Sequence, residues 1–150
     1  MLNYKKIRSE LMKKYEKQET VNFYQKSEEA YVSLYKFGIV RLPDMENPYS
    51  KENWEPEPGL VYLEANLAEM KRAKPVNRFS AGPDDMYRMV RSDDKAVEAW
   101  FPEKIFGVLE KKEGYDYYLD PKEKILWITS EPLHIVEIIA SPCYMPGESE

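Results

Sequence analysis

The chain opens with apolar residues that recur every three or four positions. This spacing places them on one face of a helix from Asn3 to about Lys17. Lysines and arginines fill most of the remaining positions, and a basic amphipathic helix can lie on an anionic membrane or on nucleic acid. The stripe is narrow and lacks tryptophan, so we expect it to pack on the protein's own core. It consists of Tyr4, Ile7, Leu11 and Tyr15.

Helical spacing also dominates the middle of the sequence. Ser27 is suited to cap a helix whose first turn holds two glutamates. The alternation around Tyr31 and the composition at the start of 60–73 leave a strand open as the alternative for each of those two segments. Beyond Ser92, the pattern predicts either a continued helix or a second short helix up to Trp100. The predicted elements are helices over 28–37, 60–73 and 84–91, a short strand over 39–42 and a turn-rich connection over 74–85.

The last third of the chain changes to short apolar or aromatic runs separated by turn compositions. Their spacing of about ten residues is typical of an antiparallel meander. Both faces of the run around Trp127 are largely apolar, which predicts a central strand covered on both sides. Helices first and strands last indicate an α+β fold, with N-terminal helices packed on a C-terminal antiparallel β-meander of three to four strands. The predicted strands span 105–111, 116–119, 125–130 and 134–140.

Length and proline content predict how the chain is organised. A chain of 150 residues suits a single domain over 1–150. Four of its eleven prolines lie in the acidic segment 43–59, which predicts a long loop. Residues 141–150 predict a flexible tail. Trp54 either pins the loop onto the core or belongs to a lid or a partner-contacting arm.

Composition argues against several classes of protein. The chain has no run of 18 apolar residues and opens without the apolar stretch of a secretory signal, so we expect no membrane contact and a cytoplasmic location. The lone His134 and lone Cys143 exclude a zinc site built from cysteines and histidines. The scattered glycines form no phosphate-binding motif. We predict no cofactor and no metal, with a carboxylate site from Asp85, Asp93 or Glu98 as a minor alternative.

The formal net charge of −5 is an average over segments of opposite sign. Residues 43–69 carry seven acids and one base, whereas residues 71–91 carry six bases and two acids. The two segments either neutralise each other through weak exposed pairs or steer a charged partner toward one of them.

The leading functional hypothesis is a cytoplasmic protein-binding module. Any Cys–His or Ser–His catalytic pair would need the single histidine, so enzymatic activity stays uncertain and is the less favoured class. Twelve tyrosines and an acidic, aromatic loop favour a protein partner, which could present a basic surface to the loop. The module would neutralise its partner, as an immunity protein does, or regulate it. The predicted contact residues are Glu46, Tyr49, Glu52, Trp54, Glu55 and Glu57.

Two alternatives belong to other classes. The first is a small-molecule or enzymatic pocket between helices and sheet, lined by Tyr117, Trp127 and His134 with Asp85 near its mouth. The second is weak nucleic-acid binding through residues 71–91, where aromatic side chains neighbour arginines. The negative net charge makes nucleic acid the less favoured partner. The pattern does not indicate an oligomeric state.

Overall fold

The computed structural model describes residues 2–35, 38–56, 67–82, 85–111, 114–131 and 134–143, and for residues 35, 77, 79–82 and 85 it describes the backbone alone. Ten strands and two α-helices form within these ranges, with single 3-10 turns at Asp44–Glu46 and Leu67–Glu69. The elements in chain order are α1 (Tyr4–Glu16), β1 (Val21–Lys26), β2 (Glu29–Tyr35), β3 (Gly38–Pro43), β4 (Trp54–Pro56), β5 (Lys71–Gly82), β6 (Asp85–Ser92), β7 (Glu98–Pro102), α2 (Glu103–Phe106), β8 (Tyr115–Leu119), β9 (Leu126–Ser130) and β10 (Ile135–Ala140).

All ten strands belong to one mixed sheet, in the order β4-β1-β2-β3-β10-β9-β8-β5-β6-β7. Its neighbours pair antiparallel, except that β1 and β4 run parallel with Val21 opposite Trp54. The predicted fold of N-terminal helices on a C-terminal meander of three to four strands is therefore wrong. The meander exists as β8, β9 and β10, but it forms the centre of a sheet that takes in both halves of the chain.

Two segments predicted as helices are strands. Residues 29–35 of the segment 28–37 form β2, where Ala30, Tyr31 and Val32 are all buried; residues 36 and 37 lie outside the described ranges. Consecutive residues of a strand point to opposite faces of the sheet, so all three can be buried only where both faces are covered. In a helix with one apolar stripe, some of these three residues would be exposed. Residues 85–91 of the segment 84–91 belong to β6, which pairs with β5 on one side and β7 on the other. The strand alternative given for 28–37 is confirmed.

Further mismatches lie between residues 60 and 111. Residues 60–66 of the predicted third helix lie outside the described ranges, and its end is a 3-10 turn followed by β5. The predicted connection over 74–85 is mostly β5 itself. The residues after Ser92 form a turn and then β7, not a second short helix. The predicted strand over 105–111 is instead the end of α2 and a turn.

The N-terminal helix is confirmed. The side chain of Asn3 caps it by accepting a hydrogen bond from the Lys6 amide at 3.2 Å. Three of the four stripe residues are buried, whereas Tyr15 is 42% exposed. The short strand predicted over 39–42 is also confirmed, as β3.

The two faces of the sheet differ in how much they bury. The face on which α1 packs, called here the inner face, carries a core that runs from β1 to β7 and includes Val32, Ile128 and Phe101, each 0% exposed. The opposite, outer face carries a smaller cluster of Tyr31, Trp127 and Ile139. Every residue of β9 is buried, which confirms that this strand is central and covered on both sides.

A buried ion pair ties the two halves of the sheet together where β3 meets β10. The Nε of Arg41 donates to Oε1 of Glu137 at 2.8 Å, and Glu137 is 0% exposed. The Arg41 guanidinium also donates to Glu29 on β2 and, at 3.2 Å, to the hydroxyl of Tyr4 on α1. One cationic group therefore joins three strands and a helix, which offsets part of the cost of burying the charges.

The predicted loop and tail are partly structured. Within 43–59, residues Asp44–Glu46 form a 3-10 turn and Trp54–Pro56 form an edge strand; residues 57–59 lie outside the described ranges. At the start of the tail, the amide of Cys143 donates to the carbonyl of Trp100 at 2.9 Å; residues 144–150 also lie outside those ranges. Neither helix in the described part of the chain is long and apolar enough to cross a membrane.

Candidate functional site

The acidic loop is attached to α1 by an ion pair and an aromatic stack. Nη1 of Arg8 lies 2.7 Å from Oε2 of Glu46. Farther along the helix, the rings of Tyr15 and Tyr49 stack with their centroids 5.8 Å apart. The side chain of Asn47 accepts a hydrogen bond from the amide of Tyr49, which fixes the turn between these contacts.

The second half of the loop is held by Trp54. Its ring packs on Phe23 of β1 at a centroid distance of 5.4 Å. The ammonium group of Lys51 lies 5.2 Å from the centre of the same ring and 3.0 Å from Oδ1 of Asp44. Since β4 also pairs with β1, Trp54 pins the loop onto the core, as the first of the two interpretations of this residue predicted.

The side chains that the loop leaves exposed are apolar and acidic. Met45 is 90% exposed, the highest value among the exposed large hydrophobic residues of the described chain. Glu52 and Glu55 are exposed as well. Glu57, another predicted contact residue, lies outside the described ranges. Met45, Glu52 and Glu55 together form the surface called here the loop surface.

The four residues predicted to line a pocket lie in different places. Tyr117 packs beside Phe106 in the inner core, where burial raises the pKa of its phenol. Trp127 lies in the outer cluster, and His134 immediately precedes β10 with its side chain 57% exposed. Asp85 begins β6, and its side chain is not described.

A groove of about 480 Å³ opens elsewhere, between the β1–β2 turn and the start of β10. Its volume lies within the usual range for small-molecule sites. None of the four predicted pocket residues is among the described residues that line it, which are Lys26, Ser27, Glu28, Glu29, Tyr31, Ile135 and Val136.

Five of the six basic residues of the basic segment are paired with acids outside the acidic segment. Lys71 pairs with Asp94, Arg72 with Asp116, and Arg91 with Glu98. Two further arginines, Arg78 and Arg88, share the carboxylate of Glu103, and this contact raises the pKa of Arg88. In the described ranges, therefore, no ion pair joins segment 43–69 to segment 71–91.

The outer face carries a polar cluster that the sequence does not predict. Asp116 of β8, 8% exposed at its side chain, lies between Arg72 of β5 and His134. Nη2 of Arg72 donates to its Oδ1 at 2.8 Å, and Nδ1 of His134 lies 3.4 Å from its Oδ2. These three residues, called here the Asp116 cluster, come from three separate parts of the chain, and no spacing in the sequence signals their contact.

Comparisons of the chain with models of protein families, with curated proteins and with solved structures found no match.

Proposed function

We propose that this protein is a protein-binding module that contacts its partner through the loop surface. The observation that carries the proposal is the 90% exposure of Met45 on a loop that is otherwise held firmly to α1 and β1. Methionine is enriched at protein interfaces, because its flexible, polarisable side chain adapts to the surface it meets.

The attachment of the loop supports this proposal energetically. Binding costs free energy when a loop must become ordered, and a loop already fixed in place avoids most of that cost. Glu46, Tyr49 and Trp54, three of the predicted contact residues, serve here to hold the loop in place. The direct contact is assigned instead to Met45, Glu52 and Glu55.

The exposed carboxylates favour a partner with a basic surface around an apolar pocket. Charges of opposite sign across an interface accelerate association and fix orientation, while the apolar anchor contributes most of the affinity. A partner-neutralising role, in which the loop covers the basic surface of a toxin or nuclease in the cytoplasm, is one form of this proposal. A regulatory role is the other.

The test compares two triple variants with the same chemical change at different places. The contact variant is Met45→Ser/Glu52→Lys/Glu55→Lys. The control variant is Met86→Ser/Glu110→Lys/Glu123→Lys, which alters exposed residues away from the loop. Each immobilised protein is used to capture partners from an extract of the cells that express it, and recovery is quantified by mass spectrometry.

We expect a partner captured by the wild type and the control variant to be recovered roughly tenfold less by the contact variant, since interface anchors typically contribute more than about 1 kcal/mol. Binding of this partner to the wild type should also weaken as salt is added. Equal recovery of every specific partner by the contact variant and the control variant would show that the loop surface is not the contact site. Thermal unfolding of each variant confirms that all three proteins are folded.

A further inference from the structure

The Asp116 cluster has the arrangement of a ligand site. Its carboxylate is almost fully buried, whereas the side chains of Arg72 and His134 that flank it are each 57% exposed. One buried acid therefore orients two nitrogen-bearing groups toward solvent. Arg72 is fixed further by the ring of Tyr118, whose centre lies 5.2 Å from the guanidinium carbon.

The backbone at His134 is left-handed, as it is at four other non-glycine residues of the described chain, Gln18, Ser27, Lys95 and Lys124. Its φ of 53° lies in the left-handed region, which costs free energy for a residue other than glycine. Such conformations occur in turns and also at functional sites, where the surrounding structure maintains them. Here the left-handed residue immediately precedes β10, and its ring faces Asp116.

Buried polar atoms next to the cluster provide an independent observation. Thr129 is 0% exposed and lies directly opposite Asp116 in the β8–β9 ladder, on the same face of the sheet. Within the described ranges, its Oγ1 has no hydrogen-bond partner, and neither has Nε1 of Trp127 two residues earlier on that face. Buried polar atoms normally have a partner, so the exceptions call for an explanation.

We propose that Arg72, His134 and Asp116 form a binding site for the oxyanion of a small molecule, either a phosphate or a carboxylate group. A guanidinium presents several N–H donors in a plane that matches both kinds of oxyanion. Because Nδ1 of His134 faces Asp116, Nε2 is the nitrogen turned toward the ligand, and it donates to the oxyanion when the imidazole is protonated and both ring nitrogens carry a proton. Lys74, exposed two residues beyond Arg72 on the same face of β5, adds positive charge beside the site.

The single histidine of the chain makes this proposal directly measurable. The imidazole C–H signals in a proton NMR spectrum belong to His134 alone. The protein is titrated at constant pH with inorganic phosphate and, separately, with acetate, while sodium chloride holds the ionic strength constant. We expect a saturable shift of the imidazole signals with one of these anions, which identifies the class of oxyanion.

Substitutions distinguish a built site from general attraction to positive charge. Arg72→Gln should weaken the saturable binding by roughly tenfold or more, the loss typical of a hydrogen bond between charged groups. The matched control is Arg91→Gln, which removes another ion-paired arginine and should leave the binding unchanged.

Asp116→Asn provides the sharpest contrast. If Asp116 positions its two neighbours, this nearly isosteric change weakens binding although it removes a negative charge. If the anion is attracted by charge alone, the same change strengthens binding. Stronger binding by Asp116→Asn, a shift that never saturates with either anion, or equal losses in Arg72→Gln and Arg91→Gln would each overturn the proposal. None of these outcomes bears on the loop surface, which lies on other elements.

Discussion

At the scale of single residues, the Arg41 guanidinium holds together groups that are far apart in the chain. It contacts Glu137, Glu29 and the hydroxyl of Tyr4. Burial of Tyr4 raises the pKa of its phenol to about 12; the Arg41 charge opposes this rise and the Glu137 charge adds to it. The folded protein therefore keeps the phenol proton at pH values at which the unfolded chain, with a tyrosine pKa of about 10, has lost it.

This difference predicts how stability changes in alkali. The contribution of Tyr4 is complete below about pH 10 and is lost as the pH rises to about 12, because the unfolded state then binds fewer protons than the folded state. The loss should be on the order of 2 kcal/mol. Urea unfolding of the wild type and of Tyr4→Phe from pH 9 to pH 12 measures it.

The phenylalanine variant lacks the titrating phenol, so its unfolding free energy should fall less steeply over this range. Tyr15→Phe, which removes the hydroxyl of a tyrosine that is 42% exposed, is the matched control and should follow the wild type. Parallel curves for wild type and Tyr4→Phe would contradict the expected linkage between this phenol and folding.

The residues of the candidate sites could be predicted only in part. Trp54 was identified as a residue that could pin the loop, because an aromatic side chain suits a purely solvated spacer poorly. Asp116 was missed, since its contacts with Arg72 and His134 depend on which strands are neighbours in the sheet. The left-handed backbone of His134 and the irregular register after Val136 also break the alternation that a regular strand would show.

At the scale of elements, α1 is the part of the fold that local sequence determines most directly. Its apolar stripe, its cap at Asn3 and its basic last turn all agree with one another. Asn3→Ala removes the acceptor for the Lys6 amide and should lower the free energy of unfolding by about 1 kcal/mol.

Asn3→Asp keeps an acceptor at the same place and adds a negative charge near the positive end of the helix dipole. It should be at least as stable as the wild type in urea unfolding at pH 7. If the alanine and aspartate variants are destabilised equally, the side chain of Asn3 does not act as a cap.

The strands between residues 71 and 102 could not be predicted, because the composition of β6 favours helix and that of β5, which contains Pro75 and Gly82, favours a turn. β6 contains two methionines and two arginines, which are good helix formers, and follows a proline and an aspartate that suit a helix start. Its strand conformation comes from ladders with β5 and β7 on its two sides. Strand pairing thus overrides the local preference of β6 for helix. In β8 to β10, by contrast, β-branched and aromatic residues favour the strand conformation that these segments adopt.

At the scale of the whole molecule, the inner core connects the two halves of the sheet. It includes Val32 and Val40 from the first half and Val90 and Phe101 from the second, together with α1. A core shared in this way predicts one cooperative unfolding transition, as expected of a single domain.

Tryptophans in the two halves allow this to be measured. Trp54 reports on the edge at β4, and Trp127 reports on the centre at β9. Variants that keep one of them, with the other two tryptophans changed to phenylalanine, are unfolded in urea. In each variant, the fluorescence transition should coincide with loss of far-ultraviolet circular dichroism. Fluorescence that changes at a different urea concentration would show that part of the sheet unfolds separately.

The position of β10 in the sheet has a consequence for synthesis of the protein in the cell. Val40 is paired with Ile138, which is 98 positions later in the chain. While the polypeptide emerges from the ribosome, β3 therefore has an open edge until β10 has been translated. Unpaired strand edges are prone to association with other chains. The newly made protein should accordingly be most vulnerable to aggregation, and most dependent on chaperones, in the interval just before residue 140 leaves the exit tunnel.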